Sequence, residues 1–259
     1  MTYDVASLLN LSPEMLPGLQ PNHALVWWID RRQLPLPSEV AQNLLSAEEQ
    51  QRGDRFKFPV DRDRYRTSRA ILRLLLSHYL SCPPDQIPFQ YSSTGKPGLP
   101  SPYDQMGLQF NLSHAGTISL YGLTVGNRIG VDLEPQRTIP HLDDIVKTQF
   151  SPQIAAQFCQ VSPQNAPVYF FRLWTVTEAY LKATGQGLAG LAAVNLWENA
   201  IAPFESLTPV PGLPQPWSTL LFEMPESTVG AIAIEGKAIK VAIYSNCHSL
   251  SDNDSRATI

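Results

Sequence analysis

Ile129-Gly130-Val131-Asp132-Leu133-Glu134 opens, and Trp174-Thr175-Val176-Thr177-Glu178-Ala179-Tyr180-Leu181-Lys182-Ala183-Thr184-Gly185-Gln186-Gly187-Leu188 closes, the stretch around which this chain is organised. The first run reads as a β-strand, so Asp132 and Glu134, two apart, project from one face. The second reads as a helix ended by Gly185 and Gly187, so Glu178 and Lys182, four apart, also share a face. Three carboxylates and an ammonium can therefore converge. Oxygen ligands of this kind suit a hard divalent cation such as Mg²⁺, which completes its shell with water and substrate phosphate.

With 259 residues the chain can bury a substantial core, as one domain or as two, and composition does not choose between them. The 23 prolines imply many turns and long connections. A net charge of −4 gives no general field for polyanions, which argues against a nucleic-acid partner and requires any phosphate site to be built from local cations. Cys82, Cys159 and Cys247 are far apart and unpaired in pattern, which suits a reducing compartment and not structural zinc. No signal peptide and no membrane-length apolar run is visible, so a cytoplasmic location is expected.

Residues 1–22, with Pro13, Pro17 and Pro21, are expected as an irregular leader and 24–30 as a buried strand. Ser46 with Glu49 forms a capping box that opens a helix to about residue 55. Residues 61–80 read as one long helix with a broad apolar stripe, along which Arg62, Arg66, Arg69 and Arg73 recur at helical spacing. A β-like run at 87–91 leads to a turn, 92–97, that exposes Lys96, and strands follow at 108–116, 118–125 and 129–134, the last two joined by a hairpin-type turn at Gly126-Asn127. Helices are expected over 141–150, from Ser151, and over 166–184. Three β-like runs, 194–198, 217–223 and 231–244 with a turn at Glu235-Gly236-Lys237, complete the pattern before a polar, disordered tail at 249–259. A long helix followed by strands thus occurs twice, as element order and not as a residue-level repeat.

Gly95-Lys96-Pro97, Phe110-Asn111-Leu112-Ser113-His114, Ile129 to Glu134 and Trp174 to Leu188 together resemble the 4′-phosphopantetheinyl transferases, in that family's order and near its spacing. The resemblance spans most of residues 46–198 and points to the long, monomeric kind. It implies an α+β fold of two similar subdomains related by a pseudo-twofold, each a long helix on a small antiparallel sheet. The N-terminal subdomain would be 23–126, binding coenzyme A, and the C-terminal one 127–248, holding the metal. It implies transfer of phosphopantetheine from coenzyme A to a serine of an acyl or peptidyl carrier protein, releasing adenosine 3′,5′-bisphosphate.

By matching positions, Asp132, Glu134 and Glu178 would bind Mg²⁺, Glu178 would help deprotonate the serine, and Lys182 would hold the pyrophosphate. Ser113 and His114 would contact the coenzyme, Lys96 its phosphate or adenine side, and Arg52, Thr67 and Arg69 the 3′-phosphate. Each pair weighed alone reads as an exposed strand end or a surface helix pair; their joint occurrence favours a site. The chain departs from the pattern at Glu49, where the family's reference member has a lysine, and at Thr177, where lysine is usual before the metal-binding glutamate. A missing cation at 177 would weaken catalysis if that lysine touches pyrophosphate, or change nothing if it is dispensable. The rival readings are a binding-only homologue without useful turnover and a Mg²⁺-dependent phosphohydrolase.

Overall fold

Period-two alternation along the strands sets the layering. In β1 (His23–Asp30), Trp27 and Ile29 join one core cluster and Ala24 and Val26 another; in β5 (Ile118–Val125), Tyr121 and Leu123 alternate likewise with Ile118 and Leu120. The first cluster packs beneath α3 (Pro59–Leu80), through Ile71, Leu72, Leu74, Leu75 and Leu76. The second lies between two sheets, where β1 and β5 meet Ile129, Val131 and Leu133 of β6 (Ile129–Pro135), together with Leu220 and Ile232 of β8 (Trp217–Met224) and β9 (Thr228–Glu235). The opposite face of this second sheet carries Leu221, Val229, Ala231 and Ala233 and packs on α6 (Ala166–Thr184) through Phe171, Leu173, Val176 and Ala179. The computed structural model, which describes residues 16–34, 36–237, 239–246 and 256–258, is therefore α+β, with α3, the first sheet, the second sheet and α6 stacked in that order as two similar halves about a pseudo-twofold.

The remaining helices are short: α1 (Ser38–Asn43), α2 (Ala47–Asp54), α4 (Leu142–Gln149), α5 (Pro152–Phe158) and α7 (Trp197–Ile201). Ser46 and Glu49 form the expected capping box on α2, and the Ser151 side chain caps α5. The first sheet runs β11-β10-β1-β5-β4 and the second β6-β9-β8-β7, with β4 (Leu108–Ala115), β7 (Thr208–Pro209), β10 (Lys240–Ser245) and β11 (Arg256–Thr258) completing them. A separate ribbon pairs β2 (Gln90–Tyr91) with β3 (Pro97–Gly98).

Four expectations fail. Residues 194–198 are not a strand: Asn195 Oδ1 accepts from the Trp197 backbone N–H at 3.0 Å as α7 begins, and a short apolar run of that length is ambiguous from sequence. The Gly126-Asn127 turn makes no hydrogen-bonded hairpin, because β5 and β6 enter different sheets. The 231–244 run is divided between the sheets: β9 ends at Glu235 in the second, whereas β10 crosses to the first and pairs parallel with β1, so that sheet is mixed rather than antiparallel and residues 240–245 lie with the first half. Of the tail expected to be disordered, Arg256–Thr258 forms β11 against β10, and the remainder of 249–259 lies outside the described residues, as does the leader up to residue 15.

The two halves meet where edge strand β4 lies beside edge strand β6, joined by the Val131 N–H donating to Asn111 Oδ1 at 3.0 Å. Behind them β6 packs on α6 at backbone contact. A Cβ on Gly130 would stand 2.1 Å from the Ala179 carbonyl oxygen and 2.4 Å from the Ala183 nitrogen, so only glycine permits this approach.

Candidate active site

A cleft of about 660 Å³ opens at the β4–β6 junction, bounded by α3, the β2–β3 ribbon and α6. Asp132 sits on its floor, 2 % exposed, projecting from β6 toward α6 with Glu134 two residues on. Lys182 reaches Asp132 Oδ1 at 2.5 Å and Ser113 Oγ at 3.0 Å, and the Ser113 hydroxyl also donates to that carboxylate oxygen at 2.9 Å. Glu178, one turn back on α6, lies 3.8 Å from Lys182. Strand spacing and helix spacing thus bring Asp132, Glu134, Glu178 and Lys182 to one wall, with Ser113 and His114 of the other half facing them.

Burial and mutual repulsion charge this wall unfavourably. Burial first, then the charges of Asp132 and Glu178, pushes the Glu134 carboxyl up to about 7. Burial followed by Asp132 raises Glu178, and burial raises Asp132 against the opposing pull of Lys182 and Ser113. Asp132 Oδ2 is buried and finds no hydrogen-bond partner among the described residues. Oxygen-only ligands, mutual repulsion and one orphaned oxygen are what a hard divalent cation would relieve, so the residues fit Mg²⁺. They are not gathered around one point, however: among the described residues no group of three or more His, Cys, Asp and Glu side chains is arranged to hold a metal ion, and the Lys182 ammonium takes one oxygen of Asp132.

The far part of the cleft is basic and aromatic, lined by Arg52, Arg64, Tyr65, Arg69, Tyr91 and His114. Arg52 stands 5.9 Å from the Tyr65 ring. The His114 ring opens to solvent at the cleft, yet desolvation by the surrounding protein, then the charges of Arg31, Arg64 and Lys182, depress its imidazole to about 4, so it is neutral near pH 7. Arg31 also ties the turn after His114, donating to Ile118 O at 3.0 Å and Ser119 Oγ at 2.6 Å.

Other assignments shift. Arg69 lines the cleft, but its guanidinium is committed to Glu49 at 2.6 Å and the Tyr91 hydroxyl at 3.1 Å; Arg73 is fully buried against the same Glu49, and Arg66 pairs with Asp54 at 2.6 Å. The arginine row is therefore mostly structural, because Glu49, buried at the start of α2, gathers two of its members. Thr67 is half-buried and does not line the cleft. Lys96 lies beside Glu178 and Lys182 in an adjoining pocket of about 290 Å³, with its ammonium turned to backbone carbonyls. Thr177 is fully buried, its hydroxyl donates to the Leu173 carbonyl at 2.6 Å, and it does not line the cleft. Sequence reasoning does not reach Arg64, Tyr65 or Tyr91 as site residues; the spacing of Asp61, Arg64, Tyr65, Ser68 and Arg69, three and four apart on α3, marks the face that Arg64 and Tyr65 share, whereas Tyr91 comes from β2 and no local spacing signals it.

Residues 35–122 match the family described as 4′-phosphopantetheinyl transferase, N-terminal, and residues 128–224 match the 4′-phosphopantetheinyl transferase superfamily. The chain is 36 % identical over 208 residues to the 4′-phosphopantetheinyl transferase HetI of a Nostoc species, covering 78 % of this chain and 85 % of that one. It is 29 % identical over 145 residues to a 4′-phosphopantetheinyl transferase of Bacillus subtilis, covering 56 % and 62 %, and 29 % identical over 167 residues to the L-aminoadipate-semialdehyde dehydrogenase-phosphopantetheinyl transferase of Rattus norvegicus, covering 60 % and 53 %. No helix among the described residues is long and apolar enough to cross a membrane.

Proposed function

This chain belongs to the 4′-phosphopantetheinyl transferase superfamily, and on that basis we propose that it transfers the 4′-phosphopantetheine group of coenzyme A to a serine hydroxyl of an acyl or peptidyl carrier protein, as a cytoplasmic monomer. The observation that carries the reading is the single cleft into which one half brings Arg52, Ser113 and His114 and the other brings Asp132, Glu134, Glu178 and Lys182.

In this reading Arg52, Arg64 and His114 receive the nucleotide phosphates, and Arg69 contributes charge from behind its Glu49 partner. Lys182 faces the pyrophosphate while it neutralises Asp132. Glu178, its carboxyl raised by burial and by Asp132, takes the proton as the serine oxygen bonds to the phosphorus on the pantetheine side. The phosphorus–oxygen bond to the nucleotide breaks, and adenosine 3′,5′-bisphosphate leaves. Asp132 Oδ2, Glu134 and Glu178 would hold Mg²⁺, which when bound supplies charge neutralisation for the pyrophosphate.

Intact-mass measurement of an apo carrier protein, with coenzyme A and either Mg²⁺ or a chelator, tests this. A phosphopantetheine mass gain is expected with Mg²⁺ only, reduced at least ~100-fold in Asp132→Asn and Glu178→Gln. Full activity in both variants, coenzyme binding with no carrier product, or phosphate release without a carrier would each overturn the assignment.

A further inference from the structure

The end of helix α6 is held by the opposite half of the chain. Lys96 Nζ donates to the carbonyl of Ala183 at 2.9 Å and to that of Ile129 at 3.2 Å, and Thr94 Oγ1 donates to the carbonyl of Gly185 at 3.0 Å. Carbonyls at a helix C-terminus have no partner within the helix, and a cation there also offsets the helix dipole. Ile129 begins β6, so one ammonium joins the helix that carries Glu178 and Lys182 to the strand that carries Asp132 and Glu134.

The turn that delivers these groups is preset. The Ser92 hydroxyl bonds the Thr94 hydroxyl at 2.9 Å and accepts from the Lys96 backbone N–H at 3.0 Å, and Gly95 takes φ 81°. The other side of the junction is equally exact, since Gly130 leaves no room for a Cβ against Ala179 and Ala183. Burial, then the charge of Arg128, lowers the Lys96 ammonium to about 8, in keeping with a side chain turned inward.

We propose that Lys96 is a positioning residue and not a phosphate ligand: with Thr94 it fixes the last turn of α6 against β6, and so sets Glu178 and Lys182 at their working distance from Asp132 and Glu134. The kinetic consequence rests on the transfer reading given above; the structural one does not. A displacement on the order of 1 Å in such a constellation costs up to about 100-fold in rate.

The test compares the full chain with Lys96→Met, Lys96→Arg and the milder Thr94→Val. Hydrogen exchange at the amides of residues 183–186 is expected to accelerate in Lys96→Met while α3 keeps its protection, which separates a local release from a failure to fold. Coenzyme A affinity, measured by calorimetry without carrier, is expected to stay within about twofold while kcat falls about 10- to 100-fold. Lys96→Arg, which retains donors for both carbonyls, recovers most of the rate, and Thr94→Val shows the same pattern to a smaller degree. If coenzyme affinity weakens by the same factor as kcat/KM while exchange at 183–186 is unchanged, Lys96 is a direct ligand and the proposal is overturned. If the unaltered chain transfers nothing to any carrier, the transfer reading falls, and exchange at 183–186 alone decides for or against the positioning role.

Discussion

Glu49 offers the sharpest test of how this fold treats its arginines. Its carboxylate, 2 % exposed, accepts from Arg69 Nε at 2.6 Å and from Arg73 Nε, while its own backbone and side chain close the capping box with Ser46. Both guanidiniums are buried and lie 4.8 Å from the Phe89 ring. Glu49→Gln keeps the shape and an acceptor for the cap but removes the carboxylate they share. Leaving a buried charge uncompensated costs about 3–5 kcal/mol, and at roughly 2–4 °C per kcal/mol for a chain of this size the melting midpoint is expected to fall by about 6–20 °C. Thermal and urea unfolding followed by circular dichroism measure this. Because the cost comes from stranded guanidiniums, Glu49→Gln with Arg73→Met should lose less than the sum of the two single changes. A loss below about 1 kcal/mol in Glu49→Gln, or strict additivity, would refute the account of Glu49 as their shared counter-ion.

Two further outcomes are expected. Thr177→Lys, which restores the family's usual residue, places an ammonium in the core beside the Leu173 carbonyl; a loss of at least about 3 kcal/mol with no gain in transfer rate is expected, and a faster, equally stable variant would return position 177 to the phosphate site. Glu134 has its pKa raised above its ordinary value to about 7, so in the chelated protein the folded form keeps its proton longer than the unfolded form, and this residue's contribution to stability falls as pH rises from about 4.5 to about 7. Relative to wild type, Glu134→Gln should therefore gain in urea midpoint across that window. A gap that is constant with pH contradicts the burial and repulsion assigned to Glu134.

Much of the architecture was legible because periodicity is a near-neighbour property. The Ser46–Glu49 box, the α6 span from Ala166 to Thr184, β5 and the side-by-side placement of Asp132 with Glu134 and of Glu178 with Lys182 follow from spacings of two, three and four residues, which hold wherever the element ends up. Tertiary packing settled the partners of those elements. Residues 231–244 read as one β-like run with a turn at 235–237, yet 240–245 join the first sheet, because the edge of β1 was open to pairing more than two hundred residues away in sequence. Glu49 looked like a lost phosphate contact and is the counter-ion of two buried arginines. Thr177 stands where the family usually has a lysine and is buried with its hydroxyl on the Leu173 carbonyl, and the Lys96 ammonium, expected on the coenzyme, bonds the backbone at the end of α6. In each case residue type and local period state what a side chain is able to do, whereas the competition among distant groups for burial and for unpaired backbone donors and acceptors decides which of those things it does.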